Sequence, residues 1–343
     1  MPISRDIKEL DLKELEGVLR QWQEKPFHSE QIFSWIYKRH VTDFGQMSDL
    51  AAGLREKLKE NFYIAGIKLV KDEISRDGTI KFLFGLKDKN LIEAVIIPAE
   101  ERITGCISSQ VGCKYACKFC ASGKLGFKRN LTRGEILDEA LYLKKESDEK
   151  LTHVVFMGIG EPLDNYENVL GAIHIINSKE GLNIGARRIT ISTCGIVPGI
   201  KRLAEEGLQV ELSISLHAAD DKTRDRLMPI NKKYPLKTLI SACKDYIART
   251  NRQVTIEYIL IKDLNCGLQS AEDLSKMLKG VDFKVNLIPA NPLPEYEIVA
   301  PNKLDILLFK DKLSKSGINV TLRKPRGQDI AAACGQLRLR YAE

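Results

Sequence analysis

Long apolar runs are missing from this 343-residue chain. None approaches the ~20 residues of a membrane span, so an integral membrane protein is not expected. The first residues, Met1-Pro2-Ile3-Ser4-Arg5-Asp6, lack the apolar stretch of a signal peptide. There are no long repeats, low-complexity tracts or obvious flexible linkers. Eight cysteines would suit a secreted disulfide protein only if the chain were short. A reducing, cytoplasmic location is therefore expected. Hydrophobic content of 43% and charged content of 29% describe a soluble globular protein. The length allows a full core and two or three domain-like units.

A strong charge excess is also missing, since the net charge is only +7. The basic residues nevertheless cluster, as in Lys124/Lys128/Arg129/Arg133, Arg187/Arg188, Lys222/Arg224/Arg226, Lys232/Lys233 and Arg323/Lys324/Arg326. Such clusters fit a polyanion such as nucleic acid, or simply solvated faces; composition does not choose between them.

Residues 8–62 carry apolar side chains at helical spacing: Leu10, Leu12, Leu15, Val18 and Leu19, then Ile32, Phe33, Ile36 and Tyr37, then Leu50, Leu54, Leu58 and Phe62. This predicts a small N-terminal helical module. Residues 65–98 change period and predict strands at 67–70, 79–84 and 91–97, with turns at Asp77-Gly78 and 87–90. Beyond them strand-like and helix-like segments alternate. Strands are expected near 104–109, 153–157, 188–192, 210–215, 254–260, 284–288 and 319–322, with helices such as 133–146, 236–249 and 303–315 between them. The alternation argues for an α/β fold with a parallel sheet. About six or seven units suggest a full or partial TIM-like (β/α) barrel.

Chemistry concentrates in Gly112-Cys113-Lys114-Tyr115-Ala116-Cys117-Lys118-Phe119-Cys120-Ala121. Three cysteines at C-x3-C-x2-C suit an iron–sulfur cluster, and a full [4Fe–4S] cluster normally takes four thiolates. Three without a fourth suggest an iron left open for a substrate. A structural zinc site is the alternative, but it must close four tetrahedral positions. The nearest spare ligands, Cys106 and His153, do not sit at the usual paired spacing. Several other strands end in unusual residues: Gly160-Glu161, Ser192, Ser215, His217 and Asn291. Barrel enzymes gather their chemistry at these strand ends. Glycines permit close backbone approach, and the polar side chains suit an ammonium, a carboxylate, a ribose and an adenine. Each residue alone has an ordinary reading as a turn, a cap or a structural histidine.

The cysteine spacing looks like that of the radical S-adenosylmethionine (SAM) enzymes. Nearly end to end, the chain resembles their RNA adenine methyltransferases of the RlmN/Cfr type. The segments that carry the likeness are 105–113, Cys117-Lys118-Phe119-Cys120-Ala121-Ser122-Gly123, 126–132, Met157-Gly158-Ile159-Gly160-Glu161-Pro162, Ser215-Leu216-His217-Ala218, Leu227-Met228-Pro229-Ile230-Asn231 and Ala331-Ala332-Ala333-Cys334-Gly335-Gln336-Leu337. Departures such as Ile159, where Met is frequent, and Cys194, where Val or Ile is usual, touch no proposed role.

The resemblance implies a partial radical-SAM barrel over 99–325. It also implies a helical accessory domain over 1–63, a short β-hairpin linker region over 64–98 and a C-terminal segment over 326–343. Cys113, Cys117 and Cys120 would hold one [4Fe–4S] cluster. Gly160, Glu161, Ser192, Ser215, Leu216, His217 and Asn291 would contact SAM, of which two molecules are used per turnover. The implied chemistry is a relay, because adenine carbon 2 is too electron-poor to attack the SAM methyl, whereas a thiolate can. Cys334 would take the methyl group. A 5′-deoxyadenosyl radical from a second SAM would remove a hydrogen from it, and the carbon radical would add to the base. Cys106 would then release the product by forming a transient disulfide with Cys334. Glu93 would remove the ring proton. Cys194, Cys243 and Cys266 read as buried hydrophobic thiols.

The implied substrates are an adenosine in the peptidyl-transferase region of 23S rRNA and the adenosine 3′ of the anticodon in some tRNAs. The target base would leave its stack. A low-potential donor such as flavodoxin or ferredoxin would supply electrons, and a monomer is expected. Methylation at carbon 8 is the nearest rival; Glu161-Pro162 and Leu287-Ile288-Pro289 favour carbon 2. A non-catalytic zinc-containing RNA-binding protein and a glycyl-radical activating enzyme are rivals of other classes. The second leaves Cys334 and the helical module unexplained.

Overall fold

A computed structural model of the chain describes residues 5–291 and 298–332. The chain opens with a short strand, β1 (Arg5–Asp6), followed by α1 (Leu12–Gln21), α2 (His28–Tyr37) and α3 (Ala52–Asn61). Asp11 starts α1 with a capping box: it accepts the N–H of Glu14 at 2.8 Å, and Glu14 accepts the N–H of Asp11 at 2.7 Å. Leu15 and Leu19, four residues apart, fall on one buried face with Ile32, Ile36, Leu54 and Leu58. A second short strand, β2 (Phe62–Tyr63), pairs parallel with β1 and closes the module.

Next come β3 (Lys68–Ile74), β4 (Ile80–Gly85), β5 (Leu91–Ala99) and β6 (Arg102–Cys106), joined antiparallel in that order. A two-stranded hairpin, β7 (Gln110–Gly112) with β8 (Phe127–Asn130), brackets the cysteine loop. The remaining elements alternate: α4 (Arg133–Glu146), β9 (His153–Phe156), α5 (Tyr166–Asn177), β10 (Ile189–Thr193), α6 (Val197–Leu203), β11 (Glu211–Ser215), α7 (Asp221–Leu227), α8 (Leu236–Thr250), β12 (Val254–Leu260), α9 (Leu268–Leu278), β13 (Phe283–Pro289), α10 (Lys303–Lys315) and β14 (Asn319–Leu322).

Seven strands, β6 and β9 to β14, run parallel in sequence order. Among the described residues β14 ends the sheet at one side and β3 at the other, which makes the barrel partial. The three strands expected within 64–98 form as β3, β4 and β5, and they join the same ten-stranded sheet, hydrogen-bonded to the barrel through β5 and β6. The strand expected over 104–109 ends at Cys106. Ser108 explains the break: its hydroxyl donates to the Glu93 carbonyl at 2.7 Å and accepts the Ile159 N–H at 3.0 Å.

The helical module is clamped to the first barrel helix. The buried ammonium of Lys8 lies 3.1 Å from Asp6 and 3.2 Å from Asp138 on α4, and donates to the Ala65 carbonyl at 2.7 Å. Glu9 accepts the N–H of Gly134 at 2.8 Å in the first turn of α4, where the helix dipole favours a carboxylate.

Candidate functional site

The cysteine loop is closed at its neck by Gly112 and Gly126. Gly112 has φ +76°, and a Cβ there would stand 1.7 Å from the Gly126 carbonyl oxygen, so only glycine fits. The N–H of Cys113 donates to that same oxygen at 2.9 Å. Asp164 fixes the loop from below, taking Lys114 at 2.8 Å, the Tyr115 hydroxyl at 3.0 Å and Gln110 at 3.0 Å. Burial works against the Asp164 carboxylate, but these partners hold its pKa below the usual value. From the far side the N–H of Lys118 donates to the Leu227 carbonyl at 2.9 Å.

Cys113, Cys117 and Cys120 line one cavity of about 900 Å³ at the C-terminal ends of the parallel strands. Gly160, Glu161, Ser192, Ser215 and His217 line it as well. Glu161 is buried, and its oxygens accept the N–H of Leu163 at 3.0 Å and of Cys194 at 2.7 Å. It thereby ties the β9 loop to the β10 loop. Its pKa is raised by burial, against these hydrogen bonds. His217 is buried with φ +61°, and its Nδ1 accepts the Ile259 N–H at 3.0 Å. That bond leaves the proton on Nε2 of the neutral ring. Burial, aided by the charge of Arg224, pushes the His217 pKa down to about 3. Phe119 meets the ring edge-on at 4.4 Å.

Two expected contacts stand elsewhere. The Leu216 side chain is fully buried in the main core, and its carbonyl is occupied by Arg224 at 3.1 Å. Asn291 lines a second cavity of about 570 Å³, where it accepts from Gln328 at 2.9 Å. That second cavity also holds Cys106, Arg326 and Ala332. Met157, Ile288 and Arg323 line both cavities. Cys334 lies outside the described residues, two positions beyond Ala332. Glu93 is buried on β5, 3.7 Å from Lys81. Strand alternation puts it on the same face as Val95, which pairs with Cys106, and Ile97, which lines the second cavity.

Several site residues gave little signal in the sequence. Glu257 on β12 is a buried carboxylate on the first cavity wall, bound by Asn286 at 2.8 Å. Cys194, expected as an ordinary core thiol, lines that cavity too. Asn265 is buried and bridges the His217 carbonyl at 2.8 Å, the Ile259 carbonyl at 2.7 Å and the Ile261 N–H at 2.8 Å.

The donor set fits an iron–sulfur cluster. Burial pushes the Cys113 thiol up to about 12 and Cys117 well above the usual range, and nearby Cys120 adds to both. Thiols crowded this way ionise together only around a strongly charged soft metal centre. Among the described residues no three His, Cys, Asp or Glu side chains converge tightly enough to hold a single ion.

Comparison with known proteins agrees with this geometry. Residues 107–267 match the radical SAM superfamily, and residues 5–64 match the ribosomal RNA large subunit methyltransferase N-terminal domain. A protein of Bacillus pumilus named probable dual-specificity RNA methyltransferase RlmN is 47% identical over 335 residues, 97% of this chain and 93% of that one. The chain belongs to the RlmN family of radical-SAM methyltransferases. A protein of the same name from Clostridium novyi is 46% identical over 98% of both chains. The crystal structure of a radical SAM methyltransferase from Sphaerobacter thermophilus superposes with a TM-score of 0.92 at 42% identity, covering 97% of this chain and 99% of that one. Membership of the family brings a [4Fe–4S] cluster and SAM as cofactors. Among the described residues no helix is long and apolar enough to cross a membrane.

Proposed function

We propose that the protein methylates carbon 2 of an adenosine in the peptidyl-transferase region of 23S rRNA, and the adenosine 3′ of the anticodon in some tRNAs. The observation that carries this is the pair of adjoining cavities, one lined by Cys113, Cys117 and Cys120 and the other by Cys106. Relatives named as dual-specificity RNA methyltransferases support both RNA classes.

In this reading Cys113, Cys117 and Cys120 hold the cluster, which when bound supplies the electron that splits SAM. Gly160, Glu161, Ser192, Ser215 and His217 hold SAM, with Nε2–H of His217 as a donor. Leu216 and Asn291 act less directly, Leu216 by fixing the loop through its bonds to Arg224 and Glu257 and Asn291 from the second cavity. Cys334 carries the methyl carbon as a thioether. Cys106 attacks the Cys334 sulfur to free the product, leaving a disulfide that cellular thiols reduce. Glu93 accepts the ring proton; it is a buried carboxylate held 3.7 Å from Lys81. The helical module over 1–63 grips RNA backbone and positions it without reading sequence. The 64–98 strands connect it to the 99–325 barrel, and 326–343 carries Cys334. The protein works as a cytoplasmic monomer, supplied with electrons by a flavodoxin- or ferredoxin-like donor.

The deciding experiment is mass spectrometry of an rRNA fragment after anaerobic turnover. A methyl on carbon 2 is expected; one on carbon 8 assigns the other branch, and none overturns the proposal.

A further inference from the structure

Arg224 on α7 is the largest side chain with essentially no exposed surface. Among the described residues its four hydrogen bonds all go to neutral acceptors. Nε donates to the Leu216 carbonyl at 3.1 Å, and Nη1 to Asn231 Oδ1 at 2.9 Å. Nη2 donates to the carbonyls of Cys194 at 2.8 Å and Ser215 at 3.1 Å. Among the described residues no carboxylate pairs with it directly. Asn231 stands between it and the acids Asp221 and Asp225, binding them through Nδ2 at 2.9 and 2.8 Å. A buried charge is costly unless it is paired.

The missing partner lies next door. The C-terminal end of α7 packs on the cysteine loop: Leu227 and Met228 share an apolar cluster with Cys117 and Phe119, and Leu227 accepts the Lys118 N–H at 2.9 Å. The guanidinium itself reaches the cavity wall: Cys194, whose carbonyl it holds at 2.8 Å, lines the same cavity as Cys113, Cys117 and Cys120. We propose that Arg224 is the fixed counter-charge of the cluster site, a positioning residue whose cation balances the thiolates of Cys113, Cys117 and Cys120. The inference rests on the iron–sulfur reading of those three cysteines. The same guanidinium ties the β10 and β11 loops, so it sets both the shape and the potential of the cavity. Reduction adds negative charge to the cluster, and a buried cation nearby favours it.

The test compares wild type with R224K and R224Q, each loaded anaerobically with iron and sulfide. Both variants lose the four-armed hydrogen bonding, but only R224Q loses the charge. Potentials come from redox titration followed by electron paramagnetic resonance. R224K is expected to stay near wild type. R224Q is expected to fall about tenfold in reduced fraction at fixed poise, equal to about 59 mV for one electron. In thermal melts, R224Q should gain less than R224K from cluster loading. Equal potentials in the two variants overturn the inference, as does failure of both to fold with lysine no better than glutamine. A wild-type protein that takes up no iron and sulfide sinks the cluster reading itself, whereas a loaded wild type with an unshifted R224Q sinks only this inference.

Discussion

Asp77 Oδ2 accepts the N–H of Gly327 at 3.0 Å, across 250 residues of sequence. Asp329 answers from the other side, accepting the Ser75 hydroxyl at 2.5 Å and the Arg76 N–H at 3.2 Å. The turn between β3 and β4 thus pins the chain shortly before it reaches Cys334.

Asp77→Ala should cost about 1.5–3 kcal/mol in denaturant unfolding, the range for hydrogen bonds to a charged acceptor. It should also slow methyl transfer more than SAM binding, because Cys334 loses its guide. Burial opposes the Asp77 carboxylate, but bonds from Thr79, Gly327 and Ser75 hold its pKa down to about 2. A depressed carboxylate stabilises the fold above its unfolded value of 3.8 and loses that contribution as pH falls toward 2. The clamp is therefore fully formed at neutral pH, and Asp77→Asn should lack this acid-side step.

Cys334→Ala should abolish methylated product while the protein still takes up iron and sulfide. Wild-type product from that variant would sink the relay. Cys106→Ala should accumulate a covalent protein–RNA band on a denaturing gel, and clean turnover without it would remove Cys106 from the chemistry.

Glu161→Ala orphans the N–H groups of Leu163 and Cys194. At about 1–3 kcal/mol for each buried unsatisfied group, the loss should be plain in denaturant unfolding. SAM affinity, followed by calorimetry on the loaded protein, should drop at least about tenfold, equal to about 1.4 kcal/mol. Unchanged affinity would remove Glu161 from the SAM site.

His217 should remain neutral down to about pH 4, since burial holds its pKa near 3. The unfolded chain binds a proton there at about 6.5, so stability should fall as pH drops from 6.5 toward 3. His217→Gln should weaken that dependence. Nitrogen-15 spectra of the cluster-free chain should show the proton on Nε2, and a protonated Nδ1 would contradict the bond from Ile259.

The helices at 133–146 and 303–315 were legible to the residue, because capping residues and apolar spacing mark them locally. The cysteine loop and the strand-end residues Gly160, Glu161, Ser192, Ser215 and His217 were legible as motifs. Which cavity Leu216 and Asn291 would line was not legible from their motifs, since strand alternation and cavity shape decide it. Arg224 and Asn265 carried no local mark at all. Their partners are mostly backbone groups of loops whose path the tertiary fold decides, and a buried arginine reads in sequence like any helix-surface arginine. The end of β6 was missed for the same reason: Ser108 breaks the strand by bonding to Glu93 and Ile159, neither of them nearby in the chain.

Met157, Ile288 and Arg323 face both cavities, which makes them a partition one side chain thick. A substitution at any one of the three therefore reshapes both cavities at once, so neither can be tuned without disturbing the other.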